Sequence, residues 1–284
     1  MDRLTVNTLS RTGGRDENQD SFGSCQTDHG FLAVVCDGMG GAKGGSKASG
    51  IAVATIMEEV SGSVLPDPAS VLTDAITKAN TAIFRAGHAN PALQGMGTTV
   101  AAILIGDNAA TSAHVGDSRI YQLRGSGKVF RSFDHSMVFE LVRRGSISEE
   151  EARLSDQSNV ILRALGTKAS VEVEINDCLP YLKGDRFLLC SDGIWGAAGE
   201  KEILRLASSD KSVDKTVENI VEAVDKIGIA SGGRHDNLTA CLIETNTNSK
   251  KQPKMNRKSK IIIAALSLLL LASLSLNLWM LISR

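Results

Sequence analysis

The run Phe31-Leu32-Ala33-Val34-Val35 continues through Cys36, stops at Asp37, and is followed at once by Gly38, Gly40 and Gly41. A short, Val-rich apolar run bounded by glycines predicts a buried strand. Its end is unusual, because an ionised carboxylate at the mouth of an apolar strand is costly unless something positive sits beside it. The glycines let backbone carbonyls and amides approach that partner closely. Carboxylate with backbone oxygen is the donor set of a hard divalent cation. Taken alone, the same residues also fit an ordinary strand-ending Asp-Gly turn.

Recurrence separates the two readings. Phe187-Leu188-Leu189-Cys190-Ser191-Asp192-Gly193 repeats the design, and Asp236-Asn237 immediately precedes another apolar run, Leu238 to Ile243. Three strand ends, each carrying an aspartate beside a turn residue, predict one shared cation site.

The rest of the chain reads as strands framed by helices. Residues 4–9 predict a strand, and Gly13 to Ser21 a polar loop. Ser46 to Val60 and Asp67 to His88 predict helices, the second with Val71, Leu72, Ile76, Ala79 and Ile83 at helical spacing. Val100 to Ile105 and Ala109 to Val115 predict a hairpin turning at Gly106-Asp107-Asn108. A polar corner, Gly116-Asp117-Ser118-Arg119, leads to a strand from Ile120 to Leu123. Within 134–165, Ser136 to Arg144 predicts a helix and Ser148 to Glu151 a capping box. Strands follow at Val171 to Ile175 and Arg186 to Cys190, a helix at Val213 to Ile227, and a last strand at 238–243. Runs of strands without regular βαβ alternation predict packed sheets covered by helices.

Charge divides the chain. No acidic residue follows Glu244, whereas Lys250, Lys251, Lys254, Arg257, Lys258, Lys260 and Arg284 do. Removing these seven from the 31 basic residues leaves 24 against 32 acidic ones, so residues 1–244 carry −8. That excludes a nucleic-acid-binding body and suits a carboxylate-lined site. Residues 261–282 contain no charge, and as a helix they would span about 33 Å, enough for a bilayer core. The basic residues of 245–260 lie on the N-terminal side of that stretch, so the positive-inside rule places the preceding domain in the cytoplasm. The expectation is a single-pass anchor in the cell (inner) membrane, with the basic linker on anionic lipid head groups. Cys25, Cys36, Cys178, Cys190 and Cys241 show no CxxC and no close pair, which points to a reducing compartment and away from zinc.

The glycines after Asp37 do not form a nucleotide cradle: Gly45 is followed by Ser46 rather than Lys, and Lys43 stands where GxGxxG needs its third glycine. Taken together, Arg15…Asp20, Asp37-Gly38-Met39-Gly40-Gly41, Gly97-Thr98-Thr99, Val115-Gly116-Asp117-Ser118-Arg119, Cys190-Ser191-Asp192-Gly193 and Asp236-Asn237 resemble the blocks of the protein phosphatase 2C (PPM) family, closest to its compact bacterial serine/threonine phosphatases. The resemblance covers residues 4–244. It implies an α+β fold, a four-layer α-β-β-α sandwich of two antiparallel sheets flanked by helices. It implies hydrolysis of phosphoserine and phosphothreonine in proteins by metal-activated water at a binuclear Mn²⁺ or Mg²⁺ centre, with a third, weaker metal in bacterial members. On it, Asp37, the Gly38 carbonyl, Asp192 and Asp236 match the metal ligands, and Asp117 the ligand of the third ion. Asp20 matches a position that orients water, and Arg15 the phosphate-binding arginine. Residues 134–165 match the family's flap, a segment linked to substrate choice. A cognate Ser/Thr kinase and phosphoprotein substrates are the implied partners.

Two departures stand out. Gln19 occupies a place where many members carry Glu, and Met39 a place where eukaryotic members carry a proposed proton-donating His. His135, at the flap's entry, is one candidate for that proton; a turn or structural role is the other. The competing reading from another class is a catalytically weak pseudophosphatase that binds phosphoproteins, and a third is a soluble hydrolase of small phosphoesters.

Overall fold

The computed structural model describes residues 3–250, and the chain runs β1 (Leu4–Arg11), β2 (Asp20–Thr27), β3 (Gly30–Met39), α1 (Gly41–Gly62), α2 (Pro68–Ala89), β4 (Gly97–Thr98), β5 (Val100–Ile105), β6 (Ala110–Val115), β7 (Arg119–Arg124), β8 (Gly127–Arg131), α3 (Met137–Arg143), α4 (Glu149–Leu154), β9 (Glu174–Leu179), β10 (Arg186–Cys190), α5 (Asp192–Ala198), α6 (Glu200–Ala207), α7 (Val213–Ala230) and β11 (Leu238–Thr245). One antiparallel sheet has the order β1-β11-β10-β7-β8, the other β2-β3-β5-β6-β9, with β4 paired to β3.

The apolar character of β3 follows from its place. Leu32, Val34 and Cys36 pack toward α1 and α2, whereas Ala33 and Val35 pack toward the second sheet. A strand covered on both faces has no side to give to water, so its residues read as a continuous run. Between the sheets, Ala33, Val35, Ala101 and Ile103 meet Phe187, Leu189, Cys241 and Ile243. On the outer face of the β10–β11 sheet, Leu188, Cys190, Ala240 and Leu242 meet Val217, Ile220, Val221 and Val224 of α7. Three apolar cores thus separate four layers: helices, sheet, sheet, helices.

The helices carry their own start signals. Asp67 caps α2 by accepting from the Ser70 amide, with Pro68 in the first turn, and Ser212 caps α7 through the Lys215 amide. Ser148 and Glu151 close a full capping box on α4. Gly106 and Ala109 close the β5–β6 hairpin as expected.

Three readings change. Val171 and Val173 precede the strand, and β9 begins at Glu174, opposite His114; the two valines are half-buried against the core that α1 and α2 cover and take no part in the ladder. β2 occupies Asp20–Thr27, where the sequence showed only the end of a polar loop. Helices α5 and α6 fill the stretch after Asp192.

The end of the described chain also stays bound. Past Thr245, the Asn246 amide donates to Arg3, Ser249 to Tyr181 and Lys250 to Asp107. The uncharged stretch 261–282 and the remainder of the basic linker lie outside the described residues, among which no helix is long and apolar enough to cross a membrane.

Candidate active site

Four strand ends and one corner converge at the same end of the sandwich. Register places Asp20 directly opposite Asp37 on β2 and β3. In the other sheet Cys190 lies between Ala240 and Arg119, so Asp192, Asp236 and Asp117 emerge beside one another. The cleft at this end has a volume of about 540 Å³ and is lined by Arg15, Gln19, Asp37, Gly38, Met39, Thr99, Asp192 and Asp236, among others. Arg15, Asp20, Asp37, Gly38, Asp117, Asp192 and Asp236 are all brought to this end. Asp117 and Asp20 differ from the rest in lying behind the cleft wall, 1% and 9% exposed.

Local structure explains how each is held. Asp37 is pinned through its backbone: its amide donates to Thr99 Oγ1 at 2.9 Å, and its carbonyl accepts from Thr98 Oγ1 and the Thr99 amide, both at 2.8 Å. Thr99 Oγ1 also meets Ser118 Oγ at 2.7 Å, joining the strand tip to the Asp117 corner. Gly38 has no room for a side chain, since a Cβ there would lie 2.1 Å from the Gly45 carbonyl oxygen. Asp20 accepts from Ser191 Oγ at 2.8 Å. Asn237 holds the Arg15 loop by accepting from the Gln19 amide and donating to the carbonyls of Thr12 and Glu17. Arg15 itself donates to Asp236 at 2.8 Å, with both side chains open to solvent. Thr98, Thr99, Ser191 and Asn237 are positioning groups whose only sequence signal is adjacency to the aspartates or membership of the same short blocks.

The electrostatics are those of a site short of positive charge. Burial, then the neighbouring Asp192 and Asp236, raises the Asp20 carboxyl to about 7 against the stabilising bond from Ser191. Asp192 is raised to about 6, by burial first and Asp236 second. Asp37 stands well above the usual carboxylate range because it is desolvated and faces Asp192 and Asp20, and Asp117 does so through burial and Asp192. Asp37 and Asp192 press on each other's ionisation, since two carboxylates crowded into one buried site cannot both hold their charge cheaply. One oxygen each of Asp20, Asp117 and Asp192 is buried without a partner. Crowded carboxylates with orphaned oxygens and a Gly backbone at the centre are a donor set suited to hard divalent cations. The residues present therefore fit Mn²⁺ or Mg²⁺.

His135 is not among the cleft residues. It is 4% exposed, accepts the Gly116 amide on Nδ1 at 3.2 Å, and so carries its proton on Nε2, which donates to Glu174 at 3.1 Å. That disposes of it as a proton donor to a leaving group; the structural role is the correct one. With His114 and Glu174 it forms a group whose ligand-type atoms lie within 4.8 Å of one another. The two imidazoles stack at 4.6 Å and 17°, which sends their lone pairs along nearly parallel planes, so the trio is not a ready-made cage.

The sequence pattern of the family described as Protein phosphatase 2C matches residues 10–242. The chain belongs to the protein phosphatase 2C family. It is a protein phosphatase of the 2C type, in a family that uses Mn²⁺ or Mg²⁺. It is 32% identical over 241 residues to the serine/threonine phosphatase stp of Listeria welshimeri, an alignment covering 83% of this chain and 93% of that protein. Its fold is similar to that of the serine/threonine phosphatase Stp1 from Staphylococcus aureus, with a TM-score of 0.75, 27% identity, and coverage of 85% of this chain and 94% of the other. It is also similar to the catalytic domain of the serine/threonine protein phosphatase PstP in complex with two manganese ions, with a TM-score of 0.71, 30% identity, and coverage of 85% and 97%.

Proposed function

We propose that this chain dephosphorylates phosphoserine and phosphothreonine in proteins at a binuclear Mn²⁺ or Mg²⁺ centre held by Asp37, the Gly38 carbonyl, Asp192 and Asp236. The observation that carries the reading is the set of crowded, buried carboxylates at one sheet end, met by an arginine only at Asp236. Bound divalent cations supply Lewis acidity toward water and phosphate. The protein's own groups do the rest. Asp20, with one oxygen fixed by Ser191 and the other without a partner, accepts from water and orients it. Arg15, half exposed at the cleft, presents its planar fork to two phosphoryl oxygens and offsets the charge that develops there. Asp117, buried behind the wall, serves a third and weaker ion. Residues 134–165 act as a flap beside the cleft, to which Asn159 and Ile161 contribute.

The same proposal places the enzyme on the cytoplasmic face of the membrane, tethered by 261–282, which the uncharged span and its basic N-terminal flank support; that it opposes a Ser/Thr kinase is inferred from the family alone. Phosphate release from a phosphothreonine peptide, with and without Mn²⁺ and with Asp192→Asn as control, tests the activity. Metal-dependent release that Asp192→Asn abolishes is expected. Wild type and variant both inactive, yet both binding the phosphopeptide, would make the chain a pseudophosphatase module instead.

A further inference from the structure

Arg119 is one of the largest side chains with no exposed surface to speak of, at 2%. Its guanidinium forks onto Asp134, with Nε and Nη2 at 2.9 and 2.7 Å, and its third nitrogen donates to Tyr121 Oη at 3.1 Å. It lies 3.5 Å over the Trp195 ring and 4.8 Å from the centre of Phe139. A buried cation of this kind is costly to desolvate, and well-packed apolar residues usually replace such a pair without loss of stability. Stability alone therefore does not account for it.

Its neighbours do. Asp134 stands at the root of the 134–165 segment, and Phe139 lies on α3 within it. Trp195 sits three residues beyond Asp192 on α5 and donates its Nε1 proton to the Asp117 carbonyl at 3.0 Å. The root is joined to the same corner by the His135 amide, which donates to the Gly116 carbonyl at 2.9 Å. Gly116 holds φ at +102°, and a Cβ there would strike Thr99, so the corner has a single tight seat. Three parts that must agree for hydrolysis (the Asp117 corner, the helix that begins with Asp192 and the root of the flap) thus meet on one guanidinium.

We propose that Arg119 and Trp195 are positioning residues: clamped by Asp134, Arg119 holds the Trp195 indole, whose Nε1 fixes the Asp117 backbone carbonyl and with it the place of the buried Asp117 carboxylate behind the cleft wall. This rests on the role given to Asp117 above. A planar, delocalised cation suits the task because it can fork to a carboxylate and stack on an indole at once, which an ammonium cannot.

The test is a double-mutant cycle between Trp195→Phe and Asp117→Asn in the full chain, reading kcat, KM and the Mn²⁺ dependence of phosphopeptide hydrolysis. Trp195→Phe keeps an aromatic ring under Arg119 and removes the bond to the Asp117 carbonyl, together with part of the indole's volume. The expected result is a fall in kcat of about three- to tenfold with more Mn²⁺ needed for half-maximal rate, KM little changed, and the whole effect absent when Asp117 is already Asn, as residues acting as one unit require. Arg119→Lys should show the same pattern more strongly, and equal melting temperatures of Trp195→Phe and wild type in excess EDTA keep the result from being one of folding. An equal loss from Trp195→Phe in both backgrounds, or none in wild type, overturns the inference. Asp117→Asn alone leaving Mn²⁺ binding and turnover unchanged would instead remove the role given to Asp117.

Discussion

Raising the pH on the metal-free protein should destabilise it, and the size of the effect follows from Asp20. Its carboxyl titrates at about 7 in the folded chain against an ordinary value of 3.8. The folded form therefore keeps a proton that the unfolded chain releases, so the stabilisation is fully present below about pH 4 and is lost as pH rises toward and through about 7. At 1.36 kcal/mol for each tenfold change, this one group contributes about 4 kcal/mol at its maximum, of which roughly 3 kcal/mol disappears between about pH 5 and pH 8. Asp37, Asp117 and Asp192 are raised in the same direction and steepen the loss. For a domain of this size, 3 kcal/mol corresponds to about 6–12 °C in melting temperature. The assay is thermal unfolding across that pH range, in EDTA and in excess Mn²⁺. In EDTA the midpoint should fall as pH rises. In Mn²⁺ it should stay level or climb, because the cation takes over from the protons held by the raised carboxyls and binds more tightly as they leave. Asp20→Asn should flatten the EDTA curve. A metal-free midpoint that holds steady or rises from pH 5 to 8 would refute the picture of carboxylates crowded together without a cation.

Other outcomes follow from single contacts. Arg15→Lys, which keeps the charge and loses the fork, should reduce kcat/KM on phosphopeptides by about ten- to a hundredfold while leaving Mn²⁺-dependent stabilisation in place; an unchanged kcat/KM would exclude Arg15 from phosphate recognition. His135→Ala should lower turnover of alkyl and p-nitrophenyl phosphates by the same factor, since the ring is buried between Gly116 and Glu174; a selective loss on alkyl esters would reinstate it as an acid. The full chain should sediment with membranes and a chain ending at Lys250 should remain in the supernatant with its activity intact; equal partitioning of the two would remove the proposed anchor.

What could be read in advance has a physical pattern. Asp37, Asp192 and Asp236 announce themselves because each interrupts an apolar strand, and the strand's burial makes the charge conspicuous. The two sheets were legible for the same reason. β2 was not, because Asp20–Thr27 has alternating half-buried residues and pairs within its sheet only with β3, leaving a polar sequence that resembles a loop. β9 was misplaced by Val171 and Val173, whose alternation serves packing against the α2 side of the core and not a ladder. The clamp on Arg119 was beyond reach: Asp134 lies 15 residues away and Trp195 on another element, and only the folded sheet brings them to the same guanidinium. His135 shows the converse, a residue type that suggested chemistry by its place in the chain and turned out to be enclosed.

The most direct measurement is anomalous diffraction at the manganese edge from crystals soaked in Mn²⁺. Two strong peaks between Asp37 and the carboxylates of Asp192 and Asp236 are the predicted result. Manganese bound only elsewhere, with those aspartates holding none, would contradict it.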